Sequence, residues 1–323
     1  ELETPPQTER SRVLLSNGEV LATFWEENRV YVPLEEIAPV MAEAQLAIED
    51  HRFYEHGALD VRATLRALVR NTSGGSTQGG SSLTQQYVKM VQIENAKVSG
   101  DDEGIRKAQE RTLARKIQEL RFAIALEKRL TKDEILERYL NIAYYGDGAY
   151  GVQSAAHHYF NTTAADLTLD QAALLAGLVQ NPAASDPVHH TSIALERRNV
   201  VVNRMAELGI ITPQDASGAK QVAWDPSAVQ SFPNGCVGTR YPFLCDYVKR
   251  SLQKMPELGN TPQERLNTLK RGGLTIETEI DPTTQDAAQN AIDRVLDPKD
   301  PVISTMTMIQ PGTGLILAMA QNR

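Results

Sequence analysis

Apolar and polar positions follow two different rhythms along this chain. Residues 11–32 alternate weakly, with Asn17-Gly18 between two apolar runs, and predict a hairpin or two short strands ended by Pro33. From there the period turns helical. A first helix is predicted over 34–48, and a second over 60–69, where Val61, Leu65, Leu68 and Val69 share one side. Residues 71–82, NTSGGSTQGGSS, read alone as a flexible linker, yet the string LTQQYVKMV follows at once. A solvated segment is expected over 94–104. A long helix then follows over 105–130, with Leu113, Ile117, Leu120 and Ile124 on its buried face.

Shorter helices are predicted over 132–142, 149–159 and 193–208. Another opens at Thr168, with Gln171 completing a capping box, and stops before Pro182. Thr212-Pro213 starts a short one. Residues 34–220 therefore read as an all-α domain. Beyond Trp224 the pattern degrades, and 225–245, with Pro226, Pro233, Gly235, Gly238 and Pro242, reads as a connector. A helix over 242–253, a strand over 274–280 and a helix over 283–296 come next. A hairpin follows from STMTMI (304–309), the turn PGTG (311–314) and LILAMA (315–320). With no further chain to build a core around that hairpin, the sequence is expected to end inside a second domain.

Composition narrows the class. A chain of 323 residues, 41 % hydrophobic, can bury a sizeable core, and a net charge of −8 argues against nucleic acid as the main partner. No run of 18 apolar residues exists to span a membrane, and the longest stretch, 172–179, reads as a core helix. The first residue is Glu1 rather than Met, so the chain is expected to be processed or cut from a longer protein. Cys236 and Cys245 form no CxxC and have no second pair for zinc. Outside the cytoplasm they would pair, closing a short loop worth roughly 2–3 kcal/mol; otherwise they stay thiols.

Three clusters carry candidate chemistry. IEDHRFYEHG (48–57) packs Glu49, Asp50, His51, Arg52, Glu55 and His56 at a helix end, without the HExxH spacing of a zinc site. QGGSSLTQQYVKM (78–90) offers backbone N–H groups and the hydroxyls of Ser81, Ser82 and Thr84 to an anion, with Lys89 beyond and no Walker pattern. In RTLARKIQEL (111–120), Arg111, Arg115 and Glu119 fall on one helix face with Lys116 three before Glu119. Nine Lys/Arg stand against three Glu over 104–132. Each cluster alone reads equally as a solvated helix end, a linker or a charged helix face. Together they hold what glycosyl transfer from a pyrophosphate donor needs: a carboxylate to take a proton and cations to meet the departing charge.

These residues resemble the peptidoglycan glycosyltransferases found in bifunctional class A penicillin-binding proteins and in monofunctional transglycosylases. The family outline EDxxFxxHxG is matched by Glu49 to Gly57, with the Gly one place early and Ala58 in its usual position. Its GGST-I-TQQ is matched by Gly79-Gly80-Ser81-Ser82-Leu83-Thr84-Gln85-Gln86, and its RKxxE by Arg115-Lys116-Ile117-Gln118-Glu119. KDEILERYLN (132–141), continuing into Tyr144-Tyr145-Gly146, matches the fourth motif, and the Ala-rich 172–182 a fifth. The resemblance implies a mainly α, lysozyme-like glycosyltransferase domain over 34–224, behind lead-in strands over 1–33. A linker over 225–273 and a small α/β start of a transpeptidase domain over 274–323 would follow.

The resemblance also implies chemistry. Lipid II would be polymerised into β-1,4 glycan by an inverting transfer that releases undecaprenyl pyrophosphate. Glu49 and Glu119 would be the catalytic carboxylates, Glu49 as base on the acceptor's 4-hydroxyl and Glu119 organising the pyrophosphate, with a divalent cation (Mg or Mn) as an optional aid. Asp50, Phe53 and His56 would support the base. Arg52, Lys89, Arg115 and Lys116 would face phosphates, and Ser81, Thr84, Gln85 and Gln86 sugar and phosphate. The partners would be lipid II, the nascent glycan, the extracytoplasmic face of the bacterial cytoplasmic membrane, and other cell-wall synthesis proteins. Ser217-Gly-Ala-Lys220 and Ser251-Leu-Gln-Lys254 match the first transpeptidase string, but no KTG exists, so covalent penicillin binding is not expected. The rivals are a lysozyme-like hydrolase, for which Lys89, Arg115 and Lys116 would be superfluous, and a non-catalytic scaffold, which would need neither Glu49 nor Glu119.

Overall fold

The computed structural model describes residues 10–59, 81–110 and 112–322. The helix predicted over 60–69, most of the 71–82 stretch and Arg111 lie outside them. The described residues divide into two compact units, one within 29–230, the other of 10–28 with 231–322.

The first unit is helical. Its opening differs from the single helix expected over 34–48. Leu34–Glu36 makes one 3-10 turn, Ala38 is forced out of the helical region ahead of a proline, and α1 starts afresh as Pro39–Glu49 with the proline in its first turn. Helix α2, Leu83–Ser99, opens on Ser82, whose hydroxyl accepts the Gln85 N–H, and closes on left-handed Gly100. It absorbs part of the segment expected to be solvated. Glu94 is buried there, 4.0 Å from Arg29 and 3.8 Å from Lys97.

The long helix expected over 105–130 is two helices. The first, α3 (Asp102–Gln109), is capped by Asp101; α4 (Leu113–Glu127) restarts behind Thr112, whose hydroxyl accepts the Arg115 N–H. The predicted buried face of α4 is also corrected. Leu113, Ile117 and Ile124 are 77 %, 52 % and 44 % exposed, whereas Glu119, Ala123 and Leu126 are buried. The face that goes inward carries one carboxylate and a small Ala123, because Glu119 has its charge met by neighbouring cations.

The remaining helices follow the expected periodicity closely. They are α5 (Lys132–Ile142, boxed by Thr131 and Glu134), α6 (Val152–Phe160), α7 (Leu169–Leu178), α8 (Pro187–Glu207) and α9 (Pro213–Gln221). The Thr168–Gln171 capping box forms as read. Helix α6 begins three residues late. Gly151, at φ +78°, turns the chain where a Cβ would lie 2.8 Å from the Asn141 carbonyl. Helix α8 starts earlier than expected, behind Asp186, and is broken at His190. Residues 172–178 of α7 are buried on every side, and α1 and α8 pack against that helix. At Gly177 the backbone of Arg197 comes within 3.1 Å of where a Cβ would stand.

In the second unit, β1 (Ser11–Leu14) and β2 (Val20–Phe24) form the expected antiparallel hairpin, and β1 also pairs in parallel with β3 (Thr275–Glu277). The lead-in strands thus share a core with the chain's end. The stretch expected as linker holds α10 (Pro242–Leu252) and α11 (Pro262–Arg271), whose Leu244, Leu252 and Leu269 pack with Val13, Leu21 and Phe24. Cys236 and Cys245 are disulfide-bonded, with Cα atoms 5.5 Å apart. The C-terminal hairpin, β4 (Thr305–Ile309) and β5 (Ile316–Gln321), has a small core after all. Ala288 and Ile292 of α12 (Pro282–Asp293) cover Ala318 and Ala320.

Thermal unfolding checks the orientation of α4. Leu113→Gln and Ile117→Gln should each move Tm by no more than about 2 °C, as surface changes do. Ala123→Leu, at a fully buried position, should lower it by several degrees through overpacking of roughly 1–3 kcal/mol.

Candidate active site

Glu49 is the last residue of α1, where the helix stops and Asp50 turns the chain away. It is half-buried. Loss of solvent raises its carboxyl above the ordinary range; the hydrogen bond from Gln86 and the charge of Arg197 oppose that rise, and Asp50 adds to it. The Gln86 Nε2 donates to Glu49 Oε2 at 2.7 Å, and the Gln86 Oε1 accepts from the Tyr139 hydroxyl at 3.1 Å. Gln86 sits one turn into α2 and Tyr139 on the buried face of α5, so three helices meet at this carboxylate.

Asp50 is buried and holds the next layer. Its Oδ2 accepts the first N–H of α2, from Leu83, at 3.0 Å, and its Oδ1 lies 2.7 Å from His56 Nε2. The other ring nitrogen of His56 faces the Gly57 carbonyl at 2.5 Å. Ser82 Oγ and Gln85 Nε2 both donate to the Ala58 carbonyl, at 2.8 and 2.9 Å. Thr84 donates to Glu127 at 2.5 Å, and Lys132 donates to the same carboxylate at 2.8 Å. The Lys132 ammonium lies 4.3 Å over the ring of buried Phe53.

A second cluster carries the cations. Glu119, 2 % exposed, takes Arg115 on one oxygen and Lys116 on the other. Lys116 also donates to Ser81 Oγ at 2.5 Å. Ser81 on Lys116 and Leu83 on Asp50 stand two residues apart, so residues 81–83 join the carboxylate cluster to the cationic one.

The structure therefore gathers Glu49, Asp50, His56 and Gln86 in one place, and Ser81, Arg115, Lys116 and Glu119 in another beside it. Thr84 and Gln85 are buried with their donors on protein acceptors, and Phe53 packs beneath Lys132; they hold the site's walls. Arg52 and Lys89 are half-buried, and both interact within the protein. Sequence reasoning passed over Arg197, Glu127 and the part played by Tyr139. Tyr139 lay inside a matched motif without a role, and Arg197 lay outside every cluster and motif. A divalent cation does not suit Glu119, because both its oxygens already face cations. Among the described residues no group of three or more His, Cys, Asp or Glu side chains that could hold a metal ion is found.

A mainly helical unit with a half-buried carboxylate beside a cationic cluster defines a class that comparison with known proteins makes specific. A family model described as Transglycosylase matches residues 17–206. The chain belongs to the transglycosylase family. It is 36 % identical to penicillin-binding protein 1A of Escherichia coli over 288 residues, 88 % of this chain and 31 % of that protein. Penicillin-binding protein 1A of Mycobacterium tuberculosis is 33 % identical over 312 residues, 95 % of this chain and 36 % of its own length. That of Aquifex aeolicus is 41 % identical over 212 residues, 65 % and 27 %. The chain thus spans less than half the length of these relatives. A solved structure, penicillin-binding protein 1A from Haemophilus influenzae, aligns with 97 % of this chain and 38 % of its own at 18 % identity and a TM-score of 0.48.

The raised carboxyl of Glu49 makes a stability prediction. A carboxyl whose folded-state pKa is raised binds its proton more tightly folded than unfolded. It therefore subtracts stability as pH rises through and above the unfolded range. Glu49→Gln should accordingly melt above the parent near neutral pH. Below about pH 4, where the unfolded carboxyl is protonated too, the advantage should vanish. Calorimetry at the two pH values checks both halves.

Proposed function

We propose that this chain is a peptidoglycan glycosyltransferase that polymerises lipid II. The observation that carries the reading is Glu49 itself. It is a half-buried carboxylate of raised proton affinity, one oxygen held by Gln86, joined through residues 81–83 to a cluster of two cations around Glu119. Glu49 takes the proton of the acceptor's 4-hydroxyl while that oxygen attacks the anomeric carbon of the donor from the face opposite its pyrophosphate. The bond between that carbon and the pyrophosphate oxygen breaks, the anomeric centre inverts, and the electron pair leaves with undecaprenyl pyrophosphate.

Lys116 and Arg115 meet the charge that builds on the departing group, with Arg52 and Lys89 as further phosphate contacts. Glu119 keeps the two adjacent cations oriented without cancelling both. No step is assigned to a divalent cation. Among the described residues no helix is long and apolar enough to cross a membrane. Exposed Leu113, Ile117 and Ile124 on α4 support work at the extracytoplasmic membrane face, where the substrate's lipid tail resides. Other cell-wall synthesis proteins are the partners this reading implies.

Polymerisation of labelled lipid II in detergent tests it. The parent should make long glycan with or without a chelator. Glu49→Gln should lose at least about 10²-fold in rate, the usual worth of a general base. Arg115→Ala and Lys116→Ala should each lose about 10-fold or more in kcat/KM. Cleavage of finished glycan with no polymer from lipid II would replace this reading with a hydrolase.

A further inference from the structure

Tyr139 has no role in the chemistry so far. Its ring fills the core between α2 and α5, a task phenylalanine would perform equally well. Its hydroxyl is buried and would cost stability there without a partner. That partner is the side-chain oxygen of Gln86, 3.1 Å away, and the nitrogen of the same amide lies 2.7 Å from Glu49 Oε2.

The direction of these two bonds is determined by chemistry. An ionised carboxylate only accepts, so Gln86 must turn its NH2 toward Glu49 and its oxygen toward Tyr139. Tyr139 must then donate. A buried phenol can do so across the working range of pH, because burial and then the charge of Glu49 hold its proton on well above its ordinary range. The consequence falls on Glu49. One of its oxygens is committed to Gln86 in a defined direction, and Oε1 is the oxygen left to receive the acceptor's proton.

We infer that Tyr139 is a positioning residue for the base: by anchoring the Gln86 amide it fixes which oxygen of Glu49 meets the substrate and helps keep that carboxylate ionised. The inference rests on the proposed polymerase reading for its kinetic consequence, but not for its effect on Glu49. Among the described residues the charged groups that act on Glu49 are Asp50 beside it and Arg197 from α8; α2 contributes the Gln86 amide and α5 the neutral phenol.

The experiment follows Glu49 directly. Its side-chain carboxyl is titrated by NMR with isotopically labelled glutamate, the signal being identified by its loss in Glu49→Gln. Tyr139→Phe should raise the midpoint, corresponding to about threefold tighter proton binding or more. The acid limb of polymerisation should move up by the same factor. On the plateau kcat should fall about tenfold with KM unchanged, as misplacement of a reacting group does. In a Gln86→Leu background, adding Tyr139→Phe should change neither midpoint nor rate, whereas a merely structural tyrosine would act equally in both backgrounds. An unmoved midpoint in Tyr139→Phe, or an undiminished effect in Gln86→Leu, overturns the inference. Should the parent make no glycan at all, the polymerase reading fails, and the titration still decides the role of Tyr139.

Discussion

The carboxylate of Asp50 is the group on which the site depends. A buried charge is tolerated only with well-placed donors, and this one has two, the Leu83 N–H and His56. The first is an orphan donor at the start of α2, where the helix dipole also favours a negative charge. Satisfying Asp50 therefore pins the beginning of α2 against the end of α1. One turn later that places Gln86 on Glu49. The same constraint draws Ser82 and Gln85 onto the Ala58 carbonyl.

The cationic cluster is arranged on an opposite plan. Arg115 and Lys116 are adjacent on one helix, and their charges repel. Glu119, three and four residues on, takes one on each oxygen and is nearly removed from water in doing so. Two cations on one carboxylate leave a single net positive charge directed at Ser81. Helix spacing provides this geometry, and burial of Glu119 gives it rigidity. The same burial accounts for the rotation of α4. Once Glu119, Ala123 and Leu126 face inward, Leu113, Ile117 and Ile124 must face out.

Local features were legible in the sequence wherever the cause is local. The capping box at Thr168, the helix start at Thr212-Pro213, the turn at Asn17-Gly18 and helix α5 all depend on residues within one or two turns of one another. Helix α1 departs from its apolar periodicity for a reason that is also local, the proline at position 39, whose effect on Ala38 the pattern of apolar residues hides. The chemistry-bearing residues were legible too, because carboxylates, cations and hydroxyls at set spacings are a property of the chain order.

What the sequence by itself determined is the inventory: a helical domain, a second smaller body, and clusters of carboxylates and cations suited to moving a proton and stabilising a leaving phosphate. What only the tertiary structure decided is the use of each group. It turned α4 so that its apolar stripe faces outward, carried β1 across to pair with β3, and buried Thr84 and Gln85 as wall residues. It also brought Tyr139 and Arg197, 90 and 148 positions from Glu49 in the sequence, to bear on that one carboxylate. Periodicity records which residues can share a face of one helix; which face is buried, and against what, depends on charges and packing partners supplied by other parts of the chain.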